Sequence, residues 1–428
     1  MNTRVLRHTF FSLLLLISSN WSLCKTETYH DRHDTEESQP ANKVSVQEHT
    51  LLEKEEDTNP HTNRLSLHEA LIKGYIDEAR RLIQENRDIC KIDEQGATYL
   101  HYAAKVKGNK ALVELLLEKG ITCNSKDIEG RTPLHYAVQE RNNEEIVECL
   151  LNKGAEREAR DDDGYTCLHY AIINGDLEMI KFLLSKEVDI KARDEYGATC
   201  IHFASREFGN EAIMKFFLDK GFNRYSKNND GATCLHYAIL TNNMPMVKFL
   251  LNIGLDYNDT LTNGATGLHC AAASGSIDMV QFFLDKGFSL NVRDSKGMNS
   301  LHYAVQNRTN LAMVKFLLEK GANPSSLDKR GATSFHYAVQ EHNNEAIAQS
   351  LLDAGAHSDA IDNQGSTALH YAVQEPRNNK MVRFLVDKGL NIHAKNNEGH
   401  TCMYYAIQEI ENKKMIEFLQ SKGLSITV

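Results

Sequence analysis

Thr132-Pro133-Leu134-His135-Tyr136-Ala137 is one copy of a pattern that runs down most of this 428-residue chain. Its core, a histidine followed by an aromatic residue and an alanine, returns as His101-Tyr102-Ala103, His169-Tyr170-Ala171, His202-Phe203-Ala204, His236-Tyr237-Ala238, His302-Tyr303-Ala304, His336-Tyr337-Ala338 and His370-Tyr371-Ala372. Weaker copies, His68-Glu69-Ala70 and His269-Cys270-Ala271, extend the series, and in a last one Tyr404 stands where the histidine is expected. The interval is 33 or 34 residues. A period this regular marks stacked supersecondary units, each burying its apolar face against its neighbours, and not one globular core.

The copy from Asp127 to Arg160 shows the internal grammar. Asp127-Ile128-Glu129-Gly130 is a turn signal, because glycine takes positive φ and aspartate bonds its own backbone. Thr132 offers an N-cap hydroxyl and Pro133 suits the first helical position. A short helix through Leu134, Ala137 and Val138 follows, broken at Asn142-Asn143. A second helix carries Ile146, Val147, Leu150 and Leu151 as one apolar stripe and ends at Gly154. Several copies hold one extra residue between the helices, as in 139–143 against 173–176; it is expected to change the outline of that edge but not the stack.

These residues resemble the ankyrin repeat, whose T-P-L-H-x-A signature stands intact at 132–137. The resemblance spans 65–428, as an opening half-repeat near 65 and repeats beginning near 93, 127, 161, 194, 228, 261, 294, 328, 362 and 396. It implies an all-α repeat solenoid of helix-turn-helix units with β-turn or hairpin tips. The proline slot is mostly refilled, by Tyr99, Cys167, Cys200, Cys234, Gly267, Ser300, Ser334, Ala368 or Cys402, which is expected to loosen the first turn while keeping the cap. In the family, the histidine is similar to a structural tie bonding the nearby threonine and loop backbone. Equivalent histidines one repeat apart, about 8–10 Å, could not share a zinc ion in any case.

A net charge of −10 and a pI near 6.0 offer no basic stripe for displacing phosphate counterions, so nucleic acid is not the expected partner. The first residues differ from all the rest. Arg4 and Arg7 precede an apolar run from Phe10 to Ile17, and Ser22-Leu23-Cys24 offers a cleavage site; residues 1–24 read as a secretory signal peptide, too short for a comfortable membrane span. Once it is cleaved, no stable membrane insertion is expected. Residues 25–64 are acid-rich and aperiodic, with Glu36-Glu37 and Glu53 to Asp57, and read as a disordered leader before the 65–428 array.

Of nine cysteines, Cys24 lies in the signal; Cys167, Cys200 and Cys234 occupy one slot in consecutive repeats. At about 8–10 Å apart they lie beyond the roughly 7 Å reach of a disulfide, so free thiols acting as small apolar fillers are expected. A secreted chain with unpaired cysteines is unusual. Export from one cell followed by action in the reducing cytosol or nucleus of another removes the conflict.

No H-E-x-x-H, paired C-x-x-C, G-x-S-x-G or phosphate-binding loop is present, so no enzyme, cofactor or metal is expected. Function then falls to binding one or more proteins, by an array expected to be monomeric. In ankyrin proteins partners usually meet the turn tips and the exposed end of the first helix. Here the resemblance implies the tip residues Ile128, Glu129, Arg131, Asp162, Asp163, Tyr165, Glu195, Tyr196, Met298, Lys329 and Arg330, and the helix residues Arg206, Gln340 and Glu341. Tyr165, Tyr196 and Met298 are the expected anchors, since aromatic residues and methionine are enriched at interface cores. Asn258-Asp259-Thr260 and Asn307-Arg308-Thr309 are glycosylation sequons, usable only in a eukaryotic secretory pathway. The expected role is a secreted effector or venom-type protein that blocks or redirects a target-cell protein; a resident lumenal or extracellular scaffold is the alternative, and an enzyme ranks below both.

Overall fold

A computed structural model of the chain describes residues 66–85 and 89–425. The expected signal peptide and acidic leader lie outside the described residues. Within them are 22 α-helices, from Leu67–Ile72 to Lys413–Ser421, one short 3-10 turn at Ile410–Asn412, and no strand. The helices alternate short and long, as in Pro133–Ala137 with Glu144–Asn152 and Ser334–Gln340 with Glu345–Asp353. One continuous apolar cluster runs from Leu67 to Leu424, so the core is a thin sheet of contacts between neighbours. No described helix is long and apolar enough to cross a membrane.

Local chemistry sets the helix ends. The second helix of the copy beginning at Asp127 buries Ile146, Val147 and Leu150 and stops at Gly154, whose φ is 91°. Gly154 N–H then donates to Leu151 O and Ala155 N–H to Leu150 O, which satisfies carbonyls the helix leaves open. The first helix ends earlier than the sequence suggests, at Ala137; the break expected at Asn142-Asn143 is a turn with Asn142 at φ 55°.

Each tip is a tight turn organised by the carboxylate that opens the repeat. Asp127 Oδ1 accepts from the N–H groups of Glu129 (3.0 Å) and Arg131 (2.8 Å), while Asp127 N–H donates to Arg131 O (3.0 Å). The expected hairpins reduce to isolated antiparallel bridges such as Arg193 with Thr199 and Thr260 with Thr266. Successive tips are joined by one backbone bond each, as from Thr262 N–H to Asp230 O (2.9 Å) and Ser295 N–H to Asn263 O (2.8 Å). Glycine is required where the next tip comes in. Gly264 sits at φ 80°, and a Cβ there would stand 2.9 Å from the backbone nitrogen of Ser295.

The residue before the second helix ties neighbouring repeats together, in copies with the longer inter-helix turn and, at Asn243, in a copy with the shorter. Repeats with the longer turn place a buried asparagine before the second helix, and its amide spans two repeats. Asn344 Nδ2 donates to Val305 O of the preceding repeat (3.1 Å) and to Ala338 O of its own (2.9 Å). Asn143, Asn310, Asn378 and Asn412 do the same. Where the turn is short, Asp176, Asn243 and Ser276 cap the second helix through the N–H of a methionine three residues on, and the Asn243 amide still reaches Glu207 O of the preceding repeat (3.0 Å). With either turn length the asparagine amide supplies a cross-repeat donor to backbone carbonyls that would otherwise be buried without one.

Candidate interaction surface

The ladder histidines hold the array together through one ring nitrogen or both. Thr166 N–H donates to His169 Nδ1 (3.0 Å), with the Thr166 hydroxyl 3.1 Å from the same nitrogen. An N–H can only donate, so Nδ1 carries no proton and Nε2 does. In His135 that Nε2–H reaches Tyr165 O of the next repeat (3.1 Å); His101, His202, His269 and His370 make the equivalent cross-repeat bond, and His336 reaches Ala360 O at the end of its own repeat. Nε2 of His169, His236 and His302 finds no acceptor within range. Burial lowers the imidazole pKa to about 4 in His135, His202, His236 and His302 and to about 3 in His169, so all are neutral at physiological pH. A neutral, buried, doubly engaged imidazole is a tie and not a general base.

The aromatic residue after each histidine forms a second fastening. Its hydroxyl donates to the carboxylate nine residues earlier: Tyr136 to Asp127 (2.9 Å), Tyr170 to Asp161 (2.6 Å), Tyr303 to Asp294 (2.8 Å), Tyr337 to Asp328 (2.6 Å), Tyr371 to Asp362 (2.8 Å), and Tyr102 to Asp93. Where asparagine opens the repeat, the bond reverses and the amide donates to the hydroxyl, from Asn228 to Tyr237 and from Asn396 to Tyr405. Where the tyrosine becomes Cys270, the acid becomes buried Leu261. One repeat breaks the rule. Phe203 has no hydroxyl, yet Asp194 remains, 6% exposed, with Oδ2 meeting no donor. Desolvation raises its pKa to about 7, against the opposing pull of backbone N–H groups and of the Arg206 guanidinium.

The cysteines in the proline slot do more than fill space. Cys167 Sγ lies 3.4 Å from Arg157 O, Cys200 Sγ 3.3 Å from Ile190 O and Cys234 Sγ 3.5 Å from Arg224 O, each ten residues back; Ser334 Oγ makes the same bond to Pro324 O at 3.2 Å. Proline has no side-chain donor for that carbonyl. Burial pushes these three thiols, with Cys270 and Cys402, up to about 12. The eight cysteines of the described residues are free, and Cys90 alone among them is exposed. Gly267 fills the slot for a steric reason, since a Cβ there would stand 2.7 Å from Ile239 and 3.0 Å from Phe283.

The structure sorts the expected binding residues. Ile128 (55% exposed), Asp162, Glu195, Lys329 and Arg330 are exposed on the tips, and Glu129, Asp163, Tyr196, Gln340 and Glu341 are half-buried. Two expected anchors are corrected. Tyr165 is fully buried, its ring edge-on to Phe203 at 4.9 Å, and Met298 is 6% exposed. Both stand in the slot before the helix cap, which points into the stack; Ala97, Ala198, Ala232, Ala265 and Ala332 occupy it elsewhere, all buried. Arg131 shares that slot and is locked to Asp127 (2.7 Å), Glu129 (2.9 Å) and the Tyr136 hydroxyl (3.1 Å). Arg206, its side chain 10% exposed, lies over Phe203 and pairs with Glu207 at 2.7 Å. The run of small residues in that slot was the available signal that the side chain turns inward.

Sequence reasoning missed a row of exposed apolar side chains. Ile92, Leu327 and Ile361, 64%, 49% and 59% exposed, each precede the aspartate that opens a repeat. Other copies carry Lys126, Arg160, Arg193, Lys227 and Arg293 there, so the sequence marks the slot as outward-facing. Of the two sequons, Asn258 is exposed, whereas the Asn307 amide donates to Ala273 O of the preceding repeat (3.3 Å).

A stack of capped helix pairs with buried ties and variable tips defines a repeat scaffold whose chemistry is surface complementarity. The sequence model of the family described as ankyrin repeats (3 copies) matches residues 45–127, 107–194, 188–261, 255–328, 301–396 and 335–428. The chain therefore belongs to the ankyrin repeat family and carries a protein–protein interaction module. No curated protein sequence matches it.

Proposed function

We propose that the chain is a non-enzymatic interaction protein, exported from its own cell, that occupies a protein in the reducing cytosol or nucleus of a target cell and blocks or redirects it. The observation that carries the compartment is the state of the thiols. The fold uses Cys167, Cys200 and Cys234 as Sγ–H donors to loop carbonyls, and it leaves Cys90 exposed and unpaired. An exposed lone thiol is at risk in an oxidising compartment and safe in a reducing one. The basic, apolar and small-residue order of the first 24 residues supports export. Binding runs along the tips, with Ile128 as the apolar anchor in place of Tyr165 and Met298.

Proximity labelling from the full chain inside candidate target cells, with an Ile128→Asp, Asp162→Lys variant as control, tests this reading. Cytosolic or nuclear proteins labelled by the natural chain and lost in the variant are expected. A label confined to lumenal or extracellular proteins favours the resident scaffold, and a set unchanged in the variant removes the tips as the binding surface.

A further inference from the structure

The central residues of the tip turns change sign along the edge. In the tips before residue 261, every charge at these positions is acidic, at Glu94, Glu129, Asp162, Asp163, Glu195 and Asp230. The Thr262-Asn263 tip is neutral, and the two tips after it carry only Lys296, Lys329 and Arg330. Of the basic residues that precede the acidic tips, Arg160, Arg193 and Lys126 hold their cations against Gly164 O, Gly197 O and Arg160 O, and Lys227 lies 3.7 Å from Asp259. The turn centres thus run from acidic tips, through one neutral tip, to two basic ones; the last two tips, Asn363-Gln364 and Asn397-Glu398, are neutral and acidic.

The spacing of these charges is fixed. Each tip donates one backbone N–H to the one before it: Asn229 to Tyr196 O (2.9 Å), Thr262 to Asp230 O (2.9 Å), Ser295 to Asn263 O (2.8 Å) and Lys329 to Lys296 O (2.8 Å). The step is the same on both sides of the neutral tip. Over the five tips from Glu195 to Arg330 the edge is self-complementary under a two-fold rotation, which exchanges the tips before and after the axis.

We propose that the tip edge is a self-association surface, on which a second copy of this chain docks antiparallel about a two-fold axis through the Thr262-Asn263 tip. The rotation sets Asp230 against Lys296 of the second copy, one tip from the axis. Two tips out, Glu195 and Tyr196 meet Lys329 and Arg330 of the second copy, an ion pair beside an arginine on an aromatic face. Each contact occurs twice by symmetry. Parallel docking in register would instead oppose like charges. The inference departs from the monomer expected of the sequence and is independent of the compartment in which the protein works. Contacts between exposed charges are screened by salt, so the dimer is a weak, salt-sensitive one.

Sedimentation velocity on the full chain, at roughly 50 mM and roughly 500 mM salt, tests the arrangement. The natural chain is expected to dimerise at the lower salt and dissociate at the higher. The variants Glu195→Lys and Lys329→Glu each oppose like charges twice and are expected to self-associate roughly tenfold or more weakly. Mixed in equal amounts, the two variants oppose opposite charges again at both places and are expected to pair with each other; that recovery also shows that both fold. A natural chain that stays monomeric at low salt, single variants that dimerise like it, or a mixture that fails to pair would each overturn the proposal.

Discussion

The repeats over 194–227 and 328–361 differ at the atom that matters most for their fastening. In the later repeat Tyr337 donates its hydroxyl to Asp328 at 2.6 Å, and both carboxylate oxygens of Asp328 are used. In the earlier one Phe203 leaves Asp194 with a buried oxygen and no donor. The stack, the His–Thr tie and the tip turn are otherwise alike. The comparison teaches that the carboxylate has two separable jobs. One oxygen shapes the turn in both repeats, and the other holds the next helix only where a hydroxyl is present.

The largest effect is expected on converting the sound repeat into the defective one. Tyr337→Phe leaves an Asp328 oxygen buried and unpaired, which costs about 1–3 kcal/mol; urea unfolding with an unchanged denaturant slope measures it, and an unchanged midpoint would mean that the hydroxyl bond contributes nothing.

A smaller effect of opposite sign is expected from Phe203→Tyr. The new hydroxyl finds Asp194 waiting, and a gain of about 0.5–1.5 kcal/mol is expected. Its pH signature is more specific than its size. Unfolded, Asp194 ionises near 3.8; folded, near 7. Between those values the unfolded chain releases a proton that the folded chain retains, so in the natural protein this group makes stability fall as pH rises from about 4 to about 7. The tyrosine removes that slope. Melting curves of both chains across the window check it, and parallel pH profiles would contradict the assignment.

The smallest effect is expected at the proline slot. Because Ser334 already makes the bond that Cys234 makes, Cys234→Ser should change stability by less than about 1 kcal/mol, while Cys234→Val, which removes the donor, should cost about 1 kcal/mol more. Equal losses in the two variants would show that the thiol serves as filler alone.

The array, its caps and its glycine stops were legible because each is a local rule repeated with one period. The histidine tie was legible for the same reason. Tyr165 and Met298 were misread because tip membership follows from sequence position, whereas the direction of the side chain follows from the extended backbone before the cap. The asparagine staples were invisible because their carbonyl partners lie 39 residues away, one repeat plus one turn back. The Asp194 defect is visible in the sequence only after the structure pairs positions nine residues apart; the natural tyrosines then stand out as the rule and Phe203 as the exception.

The central claim is that the recurring histidines fasten the scaffold and perform no chemistry. Nitrogen-15 NMR of histidine-labelled protein, titrated from pH 8 downward, tests it most directly. The account predicts that the imidazoles of His135, His169, His202, His236 and His302 hold one proton, on Nε2, and stay neutral through pH 5. Since unfolded histidine charges near 6.5, their contribution to stability is present above that pH and lost as pH falls toward about 4. Ladder histidines that titrate near 6.5 in the folded protein, or that carry the proton on Nδ1, would contradict it.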